Sequence, residues 1–223
     1  MGGPAVSPRP RFDSLASERQ LVILRAAAAE FAGRGFDSAS YNRIIQNSGV
    51  SKGAMYYYFD DKRDLYLTVL RDAERRATDT IGPIDDFDDA NSFWDALADL
   101  YLRITVFFAS EPLAAGLIKS AYAGGPVTDA AYGEFIERVS KQFEEVLAEG
   151  VRLGAVRSDL PLDLLLAVTL AIGEATDRWA LQNLDRLTEL GPGAIAEVAE
   201  RLLEMHLRLI APLSLVSERG RRR

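Results

Sequence analysis

Apolar residues recur every three or four positions along most of the chain, which is the period of an α-helix. In the first clear example, Leu21, Leu24, Ala28 and Phe31 fall on one helical face. The segment just before them, Ser17 to Gln20, has the pattern of a capping box, in which a hydroxyl caps the helix start and Gln reaches back from the third position. The pattern therefore predicts an amphipathic helix that begins near Ser17.

Two short helices joined by a turn are predicted next. Ser40 and Ser51 are each placed to cap a helix, because a Ser hydroxyl accepts a hydrogen bond from a free N–H of the first turn. Gly49 lies between them, where a residue in the left-handed conformation ends the first helix. The second short helix is predicted to run to Phe59, and another begins after Lys62. This arrangement predicts a helix-turn-helix.

The rest of the chain shows the same helical period, interrupted by glycine and proline. No stretch alternates between apolar and polar residues as a strand would, so the fold class is predicted to be all-α. The predicted helical segments are residues 91–109, 112–123, 128–150, 162–184 and 193–212. The predicted domain organisation is a flexible N-terminal arm over 1–16, a helix-turn-helix domain over 17–62, a connecting helix over 63–80, a larger helical domain over 81–213 and a basic tail over 214–223.

The second helix of the helix-turn-helix has two unlike faces. Met55 and Phe59 are four positions apart and are predicted to be buried, whereas Gly53 and Tyr57 point the opposite way. Small residues let a helix approach base edges in the major groove, and tyrosine offers a hydroxyl to phosphate. The alternative is that Tyr56 to Tyr58 are packing aromatics and that Lys62 is an ordinary surface lysine.

The charge distribution changes this picture. The formal net charge is −7, which by itself argues against binding nucleic acid. Residues 1–78 nevertheless carry 12 basic and 9 acidic side chains, while the remainder carries 14 and 24. A mildly basic N-terminal third therefore precedes a strongly acidic remainder, so only the first part is suited to meet phosphates.

Several kinds of chemistry are excluded by composition. The chain has no cysteine and one histidine, His206, so thiolate nucleophiles, Cys-ligated metals and multi-histidine metal sites are ruled out. There is no Gly-x-Ser-x-Gly sequence to accompany that histidine in a hydrolase. We therefore predict neither an enzyme nor a metal or other cofactor. The first residues lack the apolar core of a signal peptide and no apolar run is long enough to span a membrane, so we expect a cytoplasmic protein without a membrane partner.

The run from Ile44 to Leu65, with Gly-Val-Ser-Lys-Gly at 49–53 and Tyr-Tyr-Tyr-Phe at 56–59, resembles the DNA-binding domain of TetR-family regulators. The resemblance covers about residues 17–70. It implies that the DNA-contacting residues are Tyr41, Asn42, Arg43, Lys52, Gly53, Ala54, Tyr56, Tyr57, Tyr58 and Lys62. Ala54 departs from the Thr that is common in the family, which puts one hydroxyl contact in doubt.

The resemblance also implies a C-terminal helical domain that binds an effector and forms a homodimer. Aromatic residues in the middle helices are the candidates for effector contact, although aromatics at helical spacing also build ordinary cores: Trp94, Tyr101, Phe107, Phe108, Tyr122 and Trp179. His206 is expected to be a packed or surface residue. The last two long helices are apolar on more than one side, which fits a four-helix contact between two chains. The predicted interface residues are Leu166, Leu170, Gly173, Val198, Leu202, Met205 and Leu209.

The functional hypothesis is a homodimeric repressor that binds a palindromic double-stranded DNA operator and is released by a small-molecule effector. One alternative is an activator, or a repressor that requires its effector in order to bind. A protein-interaction module that has lost DNA binding is another. Salt dependence separates this last class, because a DNA binder releases counterions on binding.

Overall fold

The computed structural model describes residues 10–122 and 124–212. Within those residues it contains α-helices and no strand, so the all-α prediction is confirmed. The helices are α1 (Pro10–Asp13), α2 (Ser17–Ser38), α3 (Tyr41–Ser48), α4 (Lys52–Tyr58), α5 (Lys62–Ile81), α6 (Ala90–Ser110), α7 (Pro112–Ala121), α8 (Pro126–Arg152), α9 (Leu162–Gln182), α10 (Leu184–Leu190) and α11 (Pro192–Ile210).

The chain forms two compact units. The first contains the residues up to Thr80 together with Glu111–Tyr132, and the second contains Ile81–Ser110 and the residues from Gly133 onward. In the part of the chain that is described, no single helix is long and apolar enough to cross a membrane. The consecutive helices Ala90–Ser110 and Pro112–Ala121 reach the necessary length and apolar composition only when they are taken together.

The first unit is built around large side chains that are fully buried. Phe31, Ile44, Met55 and Phe59 come from α2, α3, α4 and the residue that ends α4. These residues bring the predicted helix-turn-helix onto one apolar core. In the same unit α2 packs closely along α7, because a Cβ on Gly116 would lie only 2.7 Å from the Cβ of Ala32. Any larger residue at Gly116 would force these two helices apart.

The prediction of a flexible arm is wrong for residues 10–16. These residues include α1, and Phe12 is 3% exposed because its ring packs on Phe59 and Tyr58, with centroid distances of 4.8 and 6.4 Å. An isolated apolar residue that follows a proline-rich stretch has no helical period to reveal it. Residues 1–9 of the predicted arm and the predicted basic tail lie outside the described residues.

The predicted capping box at the start of α2 is also wrong. The N-cap is Ala16, which has no side-chain hydrogen bond to offer. The Gln20 side chain instead bonds the preceding segment, where its Nε2 donates to the carbonyl oxygens of Phe12, Asp13 and Leu15 at 3.0–3.1 Å. The glutamine therefore ties α1 to α2 rather than capping α2.

The second unit has its own core. Phe93 and Trp94 of α6 are fully buried against Leu147 of α8 and Val156, and the Trp94 indole N–H donates to the carbonyl of Ala155 at 3.2 Å. Leu165, Leu203, Leu207 and Ile210 bring α9 and α11 onto the same cluster. The segment predicted as one helix over 162–184 ends at Gln182, and α10 follows after Asn183.

Candidate nucleic-acid interface and internal cavity

The turn between α3 and α4 is set by local residues that the sequence predicted. Ser40 Oγ accepts from the backbone N–H of Arg43 at 3.3 Å, and Ser51 Oγ accepts from that of Ala54 at 3.1 Å. Gly49 ends α3 with φ of 66°, a left-handed conformation in which other residues are strained. Two capped helices with this turn between them form the helix-turn-helix.

The two faces of α4 differ as its spacing predicts. Met55 and Phe59 are completely buried, whereas Tyr56 and Tyr57 remain 46% and 49% exposed. Gly53 is exposed on the same outward side. Because Gly53 has no side chain, the start of α4 can come close to the floor of a nucleic-acid groove, with the rings of Tyr56 and Tyr57 exposed beside it.

Other predicted contact residues surround this face. Lys52 is exposed, with its Nζ 6.0 Å from the centre of the Tyr56 ring, and Asn42 is exposed at the start of α3. Tyr41 is half-buried and packs edge-on against Tyr56 at 5.3 Å; burial raises the pKa of the Tyr41 hydroxyl. Ala54 and Tyr58 are half-buried, and Tyr58 lies edge-on to Tyr57 at 5.5 Å.

Arg43, a predicted phosphate contact, has a side chain that is 43% exposed and is engaged within the domain. Its Nη2 and Nε donate to one carboxylate oxygen of Glu30 at 2.6 and 2.9 Å, and the backbone N–H of Ser40 donates to the same oxygen at 2.8 Å. The hydrogen bond from Arg43 holds the pKa of the buried Glu30 carboxyl below its usual value. Arg43 therefore fastens α3 to α2, and its contact with phosphate stays a prediction.

Lys62 is also engaged within the domain. Its ammonium donates to the carbonyl oxygens of Phe36, Asp37 and Ala39 at 2.8, 3.1 and 3.1 Å, and lies 4.6 Å from the centre of the Phe36 ring. An ammonium has three N–H groups, so all three are engaged. Lys62 satisfies carbonyls at the end of α2 and has no N–H left for phosphate.

A small cavity of about 20 Å³ lies inside the second unit, with room for roughly one water molecule. Its lining is mostly apolar, with polar groups only from tyrosine, threonine, histidine and the tryptophan indole. The lining residues are Trp94, Leu97, Tyr101, Phe143, Val146, Leu147, Thr169, Leu203, His206 and Ile210.

The structure brings two of the six predicted effector residues to this cavity, Trp94 and Tyr101. Of the others, Phe107 is buried but does not line the cavity. Phe108 is half-buried, and its ring centroid lies 5.3 Å from that of Phe107. Tyr122 belongs to the first unit and Trp179 is 46% exposed.

Sequence reasoning missed His206, which lines the cavity and is 4% exposed. Its Nδ1 lies 2.9 Å from the carbonyl oxygen of Leu202 and donates to it, so Nε2 accepts from the hydroxyl of Tyr101 at 3.1 Å. Burial lowers the pKa of His206, which favours the neutral ring. Burial also raises the pKa of the nearby Asp177 to about 6 and is the main cause that raises the pKa of Tyr101.

The outward face of α11 carries an apolar stripe, which contains four of the predicted interface residues at spacings of four, three and four: Val198, Leu202, Met205 and Leu209. Met205 and Leu209 are 47% and 44% exposed, while Leu203 and Leu207 on the other face are buried in the core. On α9, Leu166, Leu170 and Gly173 are half-buried.

Comparison with known proteins points in one direction. Residues 23–69 match the family model of bacterial regulatory proteins, tetR family. The HTH-type transcriptional repressor KstR2 of Mycolicibacterium smegmatis is 28% identical over 70% of this chain and 76% of its own length. AcnR, an HTH-type transcriptional repressor of Corynebacterium diphtheriae, is 25% identical over 78% of this chain and 90% of its own.

Solved structures agree on the fold. The crystal structure of the transcriptional regulator FadR from Bacillus subtilis, in complex with stearoyl-CoA, superposes with a TM-score of 0.69. The match covers 84% of this chain and 97% of FadR at 16% sequence identity, which is evidence for a shared fold alone.

Proposed function

Because this chain belongs to the tetR family of bacterial DNA-binding regulators, we propose that it is a homodimeric repressor that a small molecule releases from a palindromic operator. The observation that carries the DNA-binding part is the outward face of α4, where Gly53, Tyr56 and Tyr57 are exposed while Met55 and Phe59 fix the helix to the core.

In this proposal α4 enters the major groove. Gly53 and Ala54 let the start of the helix approach base edges, and the Tyr57 ring meets the groove wall. Lys52, Asn42 and the hydroxyls of Tyr56 and Tyr58 approach phosphates on either side, with Tyr41 packed behind Tyr56. Arg43 and Lys62 act indirectly, since each holds an end of a helix in place. Phosphate contacts give affinity and register, while base contacts give specificity.

The homodimer supplies two such helices for the two halves of a palindrome. Its proposed interface is the apolar stripe Val198, Leu202, Met205 and Leu209 on α11. On α9 the half-buried Leu166, Leu170 and Gly173 share one helical face and are proposed to complete the same contact. The stripe has the spacing of a helix-packing seam. Burial of its exposed leucine and methionine side chains against a second chain would stabilise the dimer.

The cavity in the second unit is the proposed effector site. Its apolar lining favours an apolar molecule, and Tyr101 and His206 supply one hydrogen-bonding point. No lysine or arginine is among the described residues that line it, and Asp177 is close to Tyr101. A neutral ligand with one hydroxyl group therefore fits this site better than a carboxylate does.

The cavity holds little more than one water, so a bound effector has to open the second unit. Release from DNA follows if the opened state binds the operator less well. The loss of DNA affinity cannot exceed the factor by which the effector prefers the opened state to the closed one. The effector then shifts the population of DNA-competent dimers without touching the DNA-binding helices.

Trp94 offers a direct test of the effector site. The chain has two tryptophans, so a Trp179→Phe variant leaves Trp94, which lines the cavity, as the only reporter. We expect 1-decanol to shift Trp94 emission at concentrations where decanoate does not, with the response lost in Tyr101→Phe. Equal or tighter binding of decanoate contradicts the proposed ligand chemistry.

DNA binding is tested by selecting duplexes from a random-sequence pool with the wild-type protein. We expect a palindromic site that binds two chains, with log affinity falling by roughly 0.9 per phosphate contact for each unit of log salt concentration. Binding without salt dependence favours the protein-interaction module. A site that is bound only when effector is present favours the effector-requiring alternative, and a reporter gene placed behind the site separates repression from activation.

A further inference from the structure

The short helix α1 lies beside α4, the helix proposed to enter the groove. Arg11 of α1 lies with its guanidinium carbon 4.3 Å from the centre of the Tyr57 ring, a distance typical of a cation–π contact. Tyr57 is on the outward face of α4. Arg11 is itself exposed, so its guanidinium and the Tyr57 ring form one continuous surface.

Arg11 is held there by a folded segment. The next residue, Phe12, is buried against Phe59 and Tyr58, two residues at the end of α4. Gln20 of α2 donates to the carbonyl oxygens of Phe12, Asp13 and Leu15, and Ser14 Oγ donates to that of Arg11. Because both sides of Phe12 are tied down, the position of Arg11 beside α4 is set by the core of the domain.

Arg11 matters for DNA binding because few other described cations near α4 are free of internal hydrogen bonds. Arg43 is engaged by Glu30, and Lys62 is engaged by three backbone carbonyls. Of the three cations that the family resemblance implies at the interface, Lys52 is therefore the one whose charged group makes no hydrogen bond within the described residues. Arg11 adds a second cation to the outward face of α4. Within the described residues its guanidinium makes no hydrogen bond, so its N–H groups stay available beside the Tyr57 ring.

We propose that α1 is part of the DNA-binding surface and that Arg11, stacked on Tyr57, binds a backbone phosphate at the edge of the groove that α4 enters. A guanidinium edge matches two oxygens of one phosphate, which a lysine ammonium does not. Stacking on Tyr57 orients that edge before DNA arrives, so the ring positions the arginine as well as facing the groove. The inference rests on the proposed DNA-binding function of α4.

The test compares Arg11→Ala and Arg11→Lys with wild type on two duplexes, a selected operator and a scrambled sequence of equal length. A dimer carries two copies of Arg11, so loss of one phosphate contact from each lowers the magnitude of the log–log salt slope by about 1.8 and the affinity roughly 30-fold near 0.15 M salt. Arg11→Lys is expected to recover part of that loss. The loss should be the same on both duplexes, because a phosphate contact carries no sequence information.

Arg152→Ala is the matched control. It removes the same charge from an exposed arginine of the second unit, and is expected to leave the salt slope unchanged. Thermal unfolding of Arg11→Ala should coincide with that of wild type, because Phe12 and Gln20 keep α1 in place. Tyr57→Ala combined with Arg11→Ala should cost less than the sum of the two single changes, since each removes part of one stacked pair.

The outcomes separate the inference from the function on which it rests. Wild-type binding that is salt-sensitive, together with an Arg11→Ala variant that behaves like Arg152→Ala, overturns the role of Arg11 and leaves DNA binding intact. A loss confined to the operator overturns the phosphate assignment, because it indicates contact with a base. Absence of wild-type binding to every duplex overturns the proposed function itself.

Discussion

Glu30 and Arg43 are joined by two hydrogen bonds to a single carboxylate oxygen, at 2.6 and 2.9 Å, although they are thirteen positions apart. Glu30 is 8% exposed and belongs to α2, whereas Arg43 lies in the first turn of α3. The same oxygen accepts the N–H of Ser40, the residue that caps α3. One buried carboxylate therefore fixes where the helix-turn-helix begins.

Glu30→Gln is expected to lower the free energy of unfolding by roughly 1–2 kcal/mol, since hydrogen bonds to a charged acceptor are replaced by weaker ones. The pKa of Glu30 is lowered in the folded state, so its stabilising effect is present above pH 4.5 and is lost as the pH falls through the folded-state pKa. Denaturant titration of wild type and variant between pH 3 and 7 measures this. A difference that stays constant over this range contradicts the account.

Lys62→Met is expected to reduce stability by about 1–3 kcal/mol, because three backbone carbonyls at the end of α2 lose their donor. The salt dependence of operator binding should not change. Lys52→Met is the matched variant, with the opposite expectation of unchanged unfolding and a salt slope reduced by about 0.9 per protomer. If Lys62→Met lowers the slope as much as Lys52→Met does, Lys62 binds phosphate after all.

Asp177→Asn is expected to stabilise the protein at pH 7.5 by roughly 2–3 kcal/mol, following the rise of the folded-state pKa from 3.8 to about 6. An acid with a raised pKa binds more protons when folded, so its ionisation costs stability as the pH rises from about 4 to 6. The advantage of the variant should therefore shrink toward pH 4. His206 has a lowered pKa and acts in the opposite sense, but it is present in both proteins and cancels in the comparison. Thermal unfolding across this pH range measures the difference, and a gain that is equally large at pH 4 refutes the assignment.

Met205→Glu is expected to weaken the homodimer at least 100-fold, because the carboxylate would be buried without a partner in the apolar stripe of α11. Sedimentation at several concentrations gives the dissociation constant. Val22→Glu is the control, since Val22 is an exposed apolar residue of α2, 50% accessible against 47% for Met205. Equal weakening by both variants, or by neither, argues against this interface.

Local signals in the sequence predicted the helix-turn-helix well. Ser40, Gly49 and Ser51 act on neighbouring backbone groups, and Met55 with Phe59 defines the buried face by spacing alone. These features depend on residues only a few positions apart, so the sequence contains what is needed to place them.

Roles that depend on distant partners were not predictable in this way. The carbonyls that bind Lys62 are 23 to 26 positions away, and the Tyr101 hydroxyl that meets His206 is 105 positions away. A lone histidine or lysine at a helical spacing gives no sign of such partners. For the same reason Phe12 was assigned to an arm, because its contacts lie at the end of α4.

The central claim is that the outward face of α4 reads DNA, and Tyr57 tests it most directly because it is 49% exposed and can be changed without opening the core. Titration of a selected operator at two salt concentrations with wild type, Tyr57→Phe and Tyr57→Ala is the decisive measurement. The account predicts salt-sensitive binding by wild type, a modest loss in Tyr57→Phe and a loss of more than tenfold in Tyr57→Ala, with unchanged thermal unfolding. Wild-type affinity in Tyr57→Ala would contradict the proposed recognition face.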